Sequence, residues 1–125
     1  MAKRILIVDD EDDIREVAQV TLEMLGGWDI LTASCGRQGL ATAKAEQPDA
    51  ILLDVMMPDM DGPTVFRELQ ADDGTRHIPV ILLTAKVQAM DRRHFEELGV
   101  TAMIAKPFDP LALPGQVADA LGWGP

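Results

Sequence analysis

Short apolar runs alternate with longer stretches of mixed polarity along this chain. The runs are Ile5–Val8, Trp28–Ala33, Ala50–Leu53, Val80–Leu83 and Ala102–Ala105. Three of them are solidly Ile, Leu and Val, the composition of a strand covered on both faces, as in a parallel sheet. The stretches between them carry helical spacing. Ile14, Val17, Thr21, Leu22 and Leu25 form one stripe behind an Asp-rich start that suits a helix N-terminus. Gly26-Gly27 closes that helix. Gly36 to Glu46 is Ala-rich with only a weak stripe, so a helix there rests on propensity. Pro63 stands near the start of a helix carrying Val65, Phe66 and Leu69. Another helix is expected from about Gln88 to Leu98, ending at Gly99. The last helix fits worst. Asp109-Pro110 could cap and start it, but Pro114-Gly115 falls where a helix already needs a backbone N–H. A broken first turn is expected, with regular helix only from about Pro114 to Leu121.

Five strands alternating with five helices in 125 residues predict a βα array. Right-handed crossovers then build an α/β fold, a doubly wound parallel sheet with helices on both faces. Ligand sites in such folds lie at the carboxyl ends of the strands. No composition shift, linker or repeat divides the chain, so residues 1–125 read as a single domain with no output domain after Leu121.

Composition narrows the partners. Lys and Arg number 11 against 21 Asp and Glu, a formal net charge of −10, and 47% of residues are hydrophobic. That balance argues against sequence-independent grip on nucleic acid or anionic lipid, since both need a basic face. A single Cys excludes a disulfide scaffold and points to a reducing compartment, most simply the cytoplasm. The N-terminal apolar run is too short for a signal-peptide core, and no stretch reaches the length of a membrane span.

The strand ends carry the chemistry. Asp9, Asp10, Glu11, Asp12 and Asp13 follow the first run, Asp54 the third, Thr84-Ala85-Lys86 the fourth, and Lys106-Pro107 the fifth. Asp9, Asp10 and Asp54 gathered on one rim would resist joint ionisation. Lys106 would supply one positive charge and a divalent cation the rest. The donors are all oxygen, with no His or Cys beside them, which favours Mg²⁺ over zinc. With a cation and a Lys present, one carboxylate can attack phosphorus to form an aspartyl phosphate. Asp54 is the preferred nucleophile because it ends the central third strand; Asp9 and Asp10 are better placed to hold metal.

Asp9-Asp10, Asp54, Met56-Met57-Pro58-Asp59-Met60-Asp61-Gly62, Thr84-Ala85-Lys86 and Lys106-Pro107-Phe108 together resemble the receiver domain of two-component response regulators. The resemblance spans essentially the whole chain. It implies a CheY-like, flavodoxin-like fold with strand order 2-1-3-4-5. Asp54 would be the phosphoacceptor, served by a histidine kinase or a His-containing phosphotransfer protein. Mg²⁺ (or Mn²⁺) would be held by Asp10, Asp54 and the backbone carbonyl of Met56, with Asp9 acting through water. Thr84, Ala85 and Lys106 would contact the phosphoryl group, and the Lys106–Pro107 bond would be cis. A monomer or weak dimer would meet a downstream protein through the face of the fourth helix, fifth strand and fifth helix, with no nucleic-acid or membrane partner.

One position departs from the family. An aromatic residue commonly stands three places before the Lys and swings inward with the Thr hydroxyl; here it is Met103. A flexible Met can fill that space, so the signal would pass to main-chain movement after Thr84. Read singly, other residues are plainer. Lys86, His77 and His94 read as surface positions, Cys35 as inert, the Met56, Met57 and Met60 group as packing, and Trp28 and Trp123 as edge packing. Two other functions compete with the phosphorylatable switch, which turns over no external substrate. One is a Mg²⁺-dependent phosphohydrolase; the other is a receiver-fold interaction module that never uses the chemistry. The first would place its nucleophile after the first strand in an Asp-x-Asp pattern, which Asp10-Glu11-Asp12 meets only superficially. The second would have lost an acidic, Thr or Lys position, and none is lost.

Overall fold

A computed structural model describes residues 2–85 and 89–123. Lys86 and Gln88 lie outside the described residues. Strands β1 (Arg4–Val8), β2 (Asp29–Ala33), β3 (Ala50–Asp54), β4 (Val80–Thr84) and β5 (Ala102–Ala105) alternate with five helices. These are α1 (Asp12–Met24), α2 (Gly36–Glu46), α3 (Gly62–Ala71), α4 (Ala89–Leu98) and α5 (Leu113–Leu121). The strands pair in parallel in the order β2-β1-β3-β4-β5. In register, Ile5 faces Ile30 and Ala50 across its two neighbours, Ile51 faces Val80, and Ile81 faces Ala102.

Strand parity divides the core into two layers. Leu6, Val8, Ile51, Leu53, Val80 and Leu82 pack on one face against Ala43 of α2, Val65, Phe66 and Leu69 of α3, and Phe95 of α4. Ile5, Ile7, Leu52, Ile81 and Leu83 pack on the other against Ala18 and Leu22 of α1 and Leu113 and Val117 of α5. Every residue of β3 and β4 is buried, which is why those runs show no polar alternation. A fully buried Leu or Ile stabilises by roughly 1.5–3 kcal/mol, so these two strands form a stiff platform. β2 is one of the two edge strands, and only Ala33 in it is buried.

Helix ends follow local chemistry. Asp61 caps α3 by accepting the Thr64 N–H at 2.8 Å, with Pro63 in the first turn. α1 closes when the Gly26 and Trp28 N–H groups both reach the Leu22 carbonyl, with Gly27 at φ 71°. The stripe expected on α1 needs correction. Ala18 and Leu22 are the buried residues, Ile14 and Thr21 are half-buried, and Val17 and Leu25 are exposed. The row that packs is Ile14, Ala18, Leu22 at four-residue spacing, and its middle member is small enough to escape notice as core.

The start of α5 is broken as its prolines demand. Asp109 accepts the Leu111 N–H on Oδ1 at 3.0 Å, and its carbonyl takes the Ala112 and Leu113 N–H groups. Regular helix begins at Leu113, with Pro114 in its first turn where no N–H is required. Trp123, just past the left-handed Gly122, meets Trp28 edge to face at 5.5 Å. Among the described residues, no helix is long and apolar enough to cross a membrane.

Candidate functional site

Three strand ends bring side chains to one point: Asp54 closes β3, and Asp9 and Lys106 directly follow β1 and β5. The Asp9 N–H donates to the Ala33 carbonyl at 3.1 Å, carrying the β1–β2 ladder one residue past the strand. The Val55 N–H donates to Leu83, and the Lys106 N–H to Thr84 at 2.7 Å, so β3 and β5 are also held to their ends. Asp9, Asp54 and Lys106 continue the parity of Ile7, Leu52 and Ile104, the layer that faces α1 and α5. Thr84 continues the opposite parity, that of Leu82. It is 7% exposed. Ala85 beside it is exposed.

Lys106 Nζ lies 2.8 Å from Asp9 Oδ2, 3.1 Å from Asp54 Oδ1 and 3.4 Å from Glu11 Oε1. Asp9 is fully buried and Asp54 nearly so. Carboxylate oxygens of Asp9, Glu11 and Asp54 lie within 4.8 Å of one another. One ammonium against three carboxylates leaves two negative charges uncompensated when all are ionised. Asp54 Oδ2 is buried with no hydrogen-bond partner among the described residues. Asp9 Oδ2 also lacks an aligned hydrogen bond, although Nζ stands at ion-pair distance. A buried anion oxygen without a donor is costly, and an oxygen-only donor set short of two positive charges suits a hard divalent cation.

The electrostatics follow from burial. Desolvation, then the Asp9 charge, push the Asp54 carboxyl from 3.8 to about 6 against the pull of Lys106, with a contact from Asp10 adding to the rise. Burial alone would lower the Lys106 ammonium. Hydrogen bonds and attraction from Asp9 and Asp54 outweigh it and hold Lys106 above its ordinary value. The lysine therefore stays charged while Asp54 is poised to gain from any further cation.

The remaining positions sort by place. Asp10 is half-buried beside Asp54 and stands outside the close triad of oxygens. Met56 turns its side chain to solvent, 75% exposed, while Met57 is buried in the core. The Lys106–Pro107 peptide bond is cis. Met103 pairs with Leu82 and packs half-buried on the α2–α3–α4 side. His77 and His94 are exposed and Cys35 is half-buried. Gly62 lets α3 begin against the backbone of Asp54: a Cβ there would fall 2.5 Å from the Asp54 carbonyl oxygen.

Sequence reasoning passed over two residues. Glu11 sits in the acidic run, yet only its reach to Lys106, 95 positions away, sets it apart. Asp59 accepts the N–H groups of Gly36 and Arg37, both at 3.1 Å, and no local pattern announces that contact.

Comparison with known proteins agrees with this geometry. The model of the response regulator receiver domain matches residues 5–118. The alkaline phosphatase synthesis transcriptional regulatory protein PhoP of Bacillus subtilis is 42% identical over 110 residues, 88% of this chain and 45% of its own length. The chain thus spans a quarter to a half of the length of the curated relatives it matches, from 25% for the response regulator PleD of Caulobacter vibrioides to 48% for a probable transcriptional regulator of Cyanophora paradoxa. Among solved structures, the chemotaxis response regulator CheY4 of Vibrio cholerae superposes with a TM-score of 0.89 at 28% identity, covering 96% of this chain and 99% of that one. The receiver domain of a Pseudomonas aeruginosa sensor histidine kinase, solved with magnesium coordinated in its active site cleft, gives 0.85 at 30% identity over 98% and 99%. With a family match over nearly its full length and the buried acidic rim at its strand ends, this chain belongs to the response regulator receiver domains of two-component signalling.

Proposed function

We propose that this domain takes a phosphoryl group onto Asp54 from a histidine kinase or a His-containing phosphotransfer protein, and thereby changes its affinity for a partner protein. The observation that carries the reading is the buried, unpartnered Asp54 Oδ2, beside an ammonium 3.1 Å from the other oxygen of the same carboxylate. Asp54 attacks phosphorus, the donor's P–N bond breaks, and the departing imidazole takes up a proton. Lys106 already spans Asp9 and Asp54, so it needs only a small movement to meet a phosphoryl oxygen. Thr84 and Ala85, at the next strand end, are the groups for the remaining oxygens.

The donor set fits Mg²⁺ or Mn²⁺. Asp54, Asp10 and the Met56 carbonyl would hold the ion, with Asp9 acting through water and Glu11 within reach. When bound, it supplies charge neutralisation for the phosphoryl oxygens. The magnesium coordinated in the Pseudomonas aeruginosa relative supports this assignment.

The output is a population shift set by contacts that Thr84 and Lys106 make only with the phosphoryl group. Met103 supplies no aromatic ring for the family's rotamer exchange, so the loop after Thr84 carries the change to the α4–β5–α5 face. On this reading the domain is a cytoplasmic switch, monomeric or weakly dimeric, and it turns over no external substrate. A formal charge of −10 supports protein rather than nucleic-acid partners for this domain.

The test is labelling by a small phosphoryl donor with Mg²⁺. Wild type is expected to take up one phosphoryl group, and Asp54→Asn none. Labelling undiminished in Asp54→Asn would overturn the assignment. Sustained hydrolysis of external phosphoesters that survives Asp54→Asn and is lost in Asp10→Asn would favour a phosphohydrolase instead.

A further inference from the structure

We infer that Asp59 is a positioning residue, which by capping α2 from across the rim holds the 55–61 loop in the shape that presents the Met56 carbonyl to a divalent cation. The inference rests on the reading above, in which that carbonyl is a metal ligand.

The loop leaves β3 at Asp54 and must return within a few residues to the start of α3. Its ends are fixed by backbone: Val55 donates to Leu83 at 3.0 Å, and Gly62 donates to Val55 at 2.8 Å. In its middle the Met56 N–H makes a long contact of 3.4 Å with Asp54 Oδ1, and two further anchors follow. Met57 is buried in the core, and the Asp59 carboxylate takes the Gly36 and Arg37 N–H groups, one on each oxygen. The Met56 side chain stands in solvent and adds no packing of its own. The position of its carbonyl is therefore set by that long contact on one side, and by Met57 and the Asp59 clasp on the other.

The other half of the clasp is equally particular. Cys35, at the N-cap position of α2, makes no side-chain cap. The first N–H groups of α2 would otherwise look to water, and Asp59 supplies the acceptors from 23 positions away. Those N–H bonds, the Gly36 one foremost, also hold the Asp59 carboxyl below its ordinary range. Gly36 allows the approach: a Cβ there would come within 2.9 Å of both Met60 Cβ and Val65 Cγ2. Residues that orient a metal ligand without touching the ion commonly change affinity 10- to 100-fold when removed.

The experiment is a calorimetric titration of the whole chain with Mg²⁺, without any phosphoryl donor. Asp59→Ala is expected to weaken binding about tenfold and to speed amide exchange at Gly36 and Arg37. Asp59→Asn, which keeps one acceptor oxygen, should recover part of the loss. Asp61→Ala is the control, since it removes the α3 cap from the same loop and should leave the affinity nearly unchanged. Wild-type affinity in Asp59→Ala, or an equal loss in Asp61→Ala, overturns the positioning role while leaving the phosphoacceptor intact. A wild type that ignores Mg²⁺ overturns both this role and the cation assignment on which it stands.

Discussion

The two rims of the sheet carry charge in opposite ways. At the rim where the strands begin, Arg4 pairs with Glu46 at 3.1 Å, donates from its guanidinium to the Glu46 carbonyl at 2.8 Å, and donates its backbone N–H to the Asp49 carboxylate at 2.8 Å. Lys3 lies over Trp123 at 5.2 Å. These groups are exposed or half-buried, and every bond closes a helix end or a strand start. At the rim where the strands end, Asp9 and Asp54 are buried and share one lysine with Glu11, and Asp54 Oδ2 has no hydrogen-bond partner among the described residues. The first rim uses charge to tidy the fold. The second holds charge at a cost to stability, as functional sites commonly do.

The sharpest challenge to that contrast is Lys106→Met. Removing the shared cation leaves Asp9 and Asp54 buried together, and breaking a buried pair in this way costs about 3–5 kcal/mol. A urea titration at neutral pH should show the loss, and a midpoint within error of wild type would mean the rim is wetter than its burial indicates.

Next comes the pH dependence of Asp54→Asn. The folded Asp54 carboxyl sits at about 6, above its ordinary 3.8, so the folded state binds that proton more tightly than the unfolded chain. Its contribution to stability is complete below the unfolded value and is lost as pH rises through about 6. Without added metal, Asp54→Asn should therefore be more stable than wild type at neutral pH, by about 1–3 kcal/mol from the size of the shift. The advantage should shrink between pH 6 and pH 4. Equal stability at all pH values would remove the electrostatic strain from the account.

The smallest effect belongs to the opposite rim. Arg4→Ala breaks a partly exposed pair, worth roughly 1 kcal/mol or less. It should shift the urea midpoint slightly, less so in high salt, and leave phosphoryl uptake by Asp54 unchanged. A loss matching that of Lys106→Met would erase the distinction between the rims.

Much of this was legible before any coordinates. Burial on both faces leaves a strand no polar positions, so β1, β3 and β4 stood out as unbroken Ile, Leu and Val. Pro114 and Asp109 announced the broken start of α5 because a missing N–H and an Asx-type acceptor act within a few residues. The α1 stripe was misread where Ala18 stood in for a larger residue. Glu11 and Asp59 stayed hidden because their partners are 95 and 23 positions distant, and no local rule spans such gaps.

Chain chemistry alone therefore settles which segments are strands and helices, and which residue types arrive at the strand ends. These follow from backbone geometry, side-chain size and neighbouring groups, all of which act locally. Tertiary structure decides which of the arriving carboxylates meet, how dry they become and which one gains a raised affinity for protons. Distance and solvent exclusion set those quantities, and both exist only once β1, β3 and β5 lie side by side under their helices.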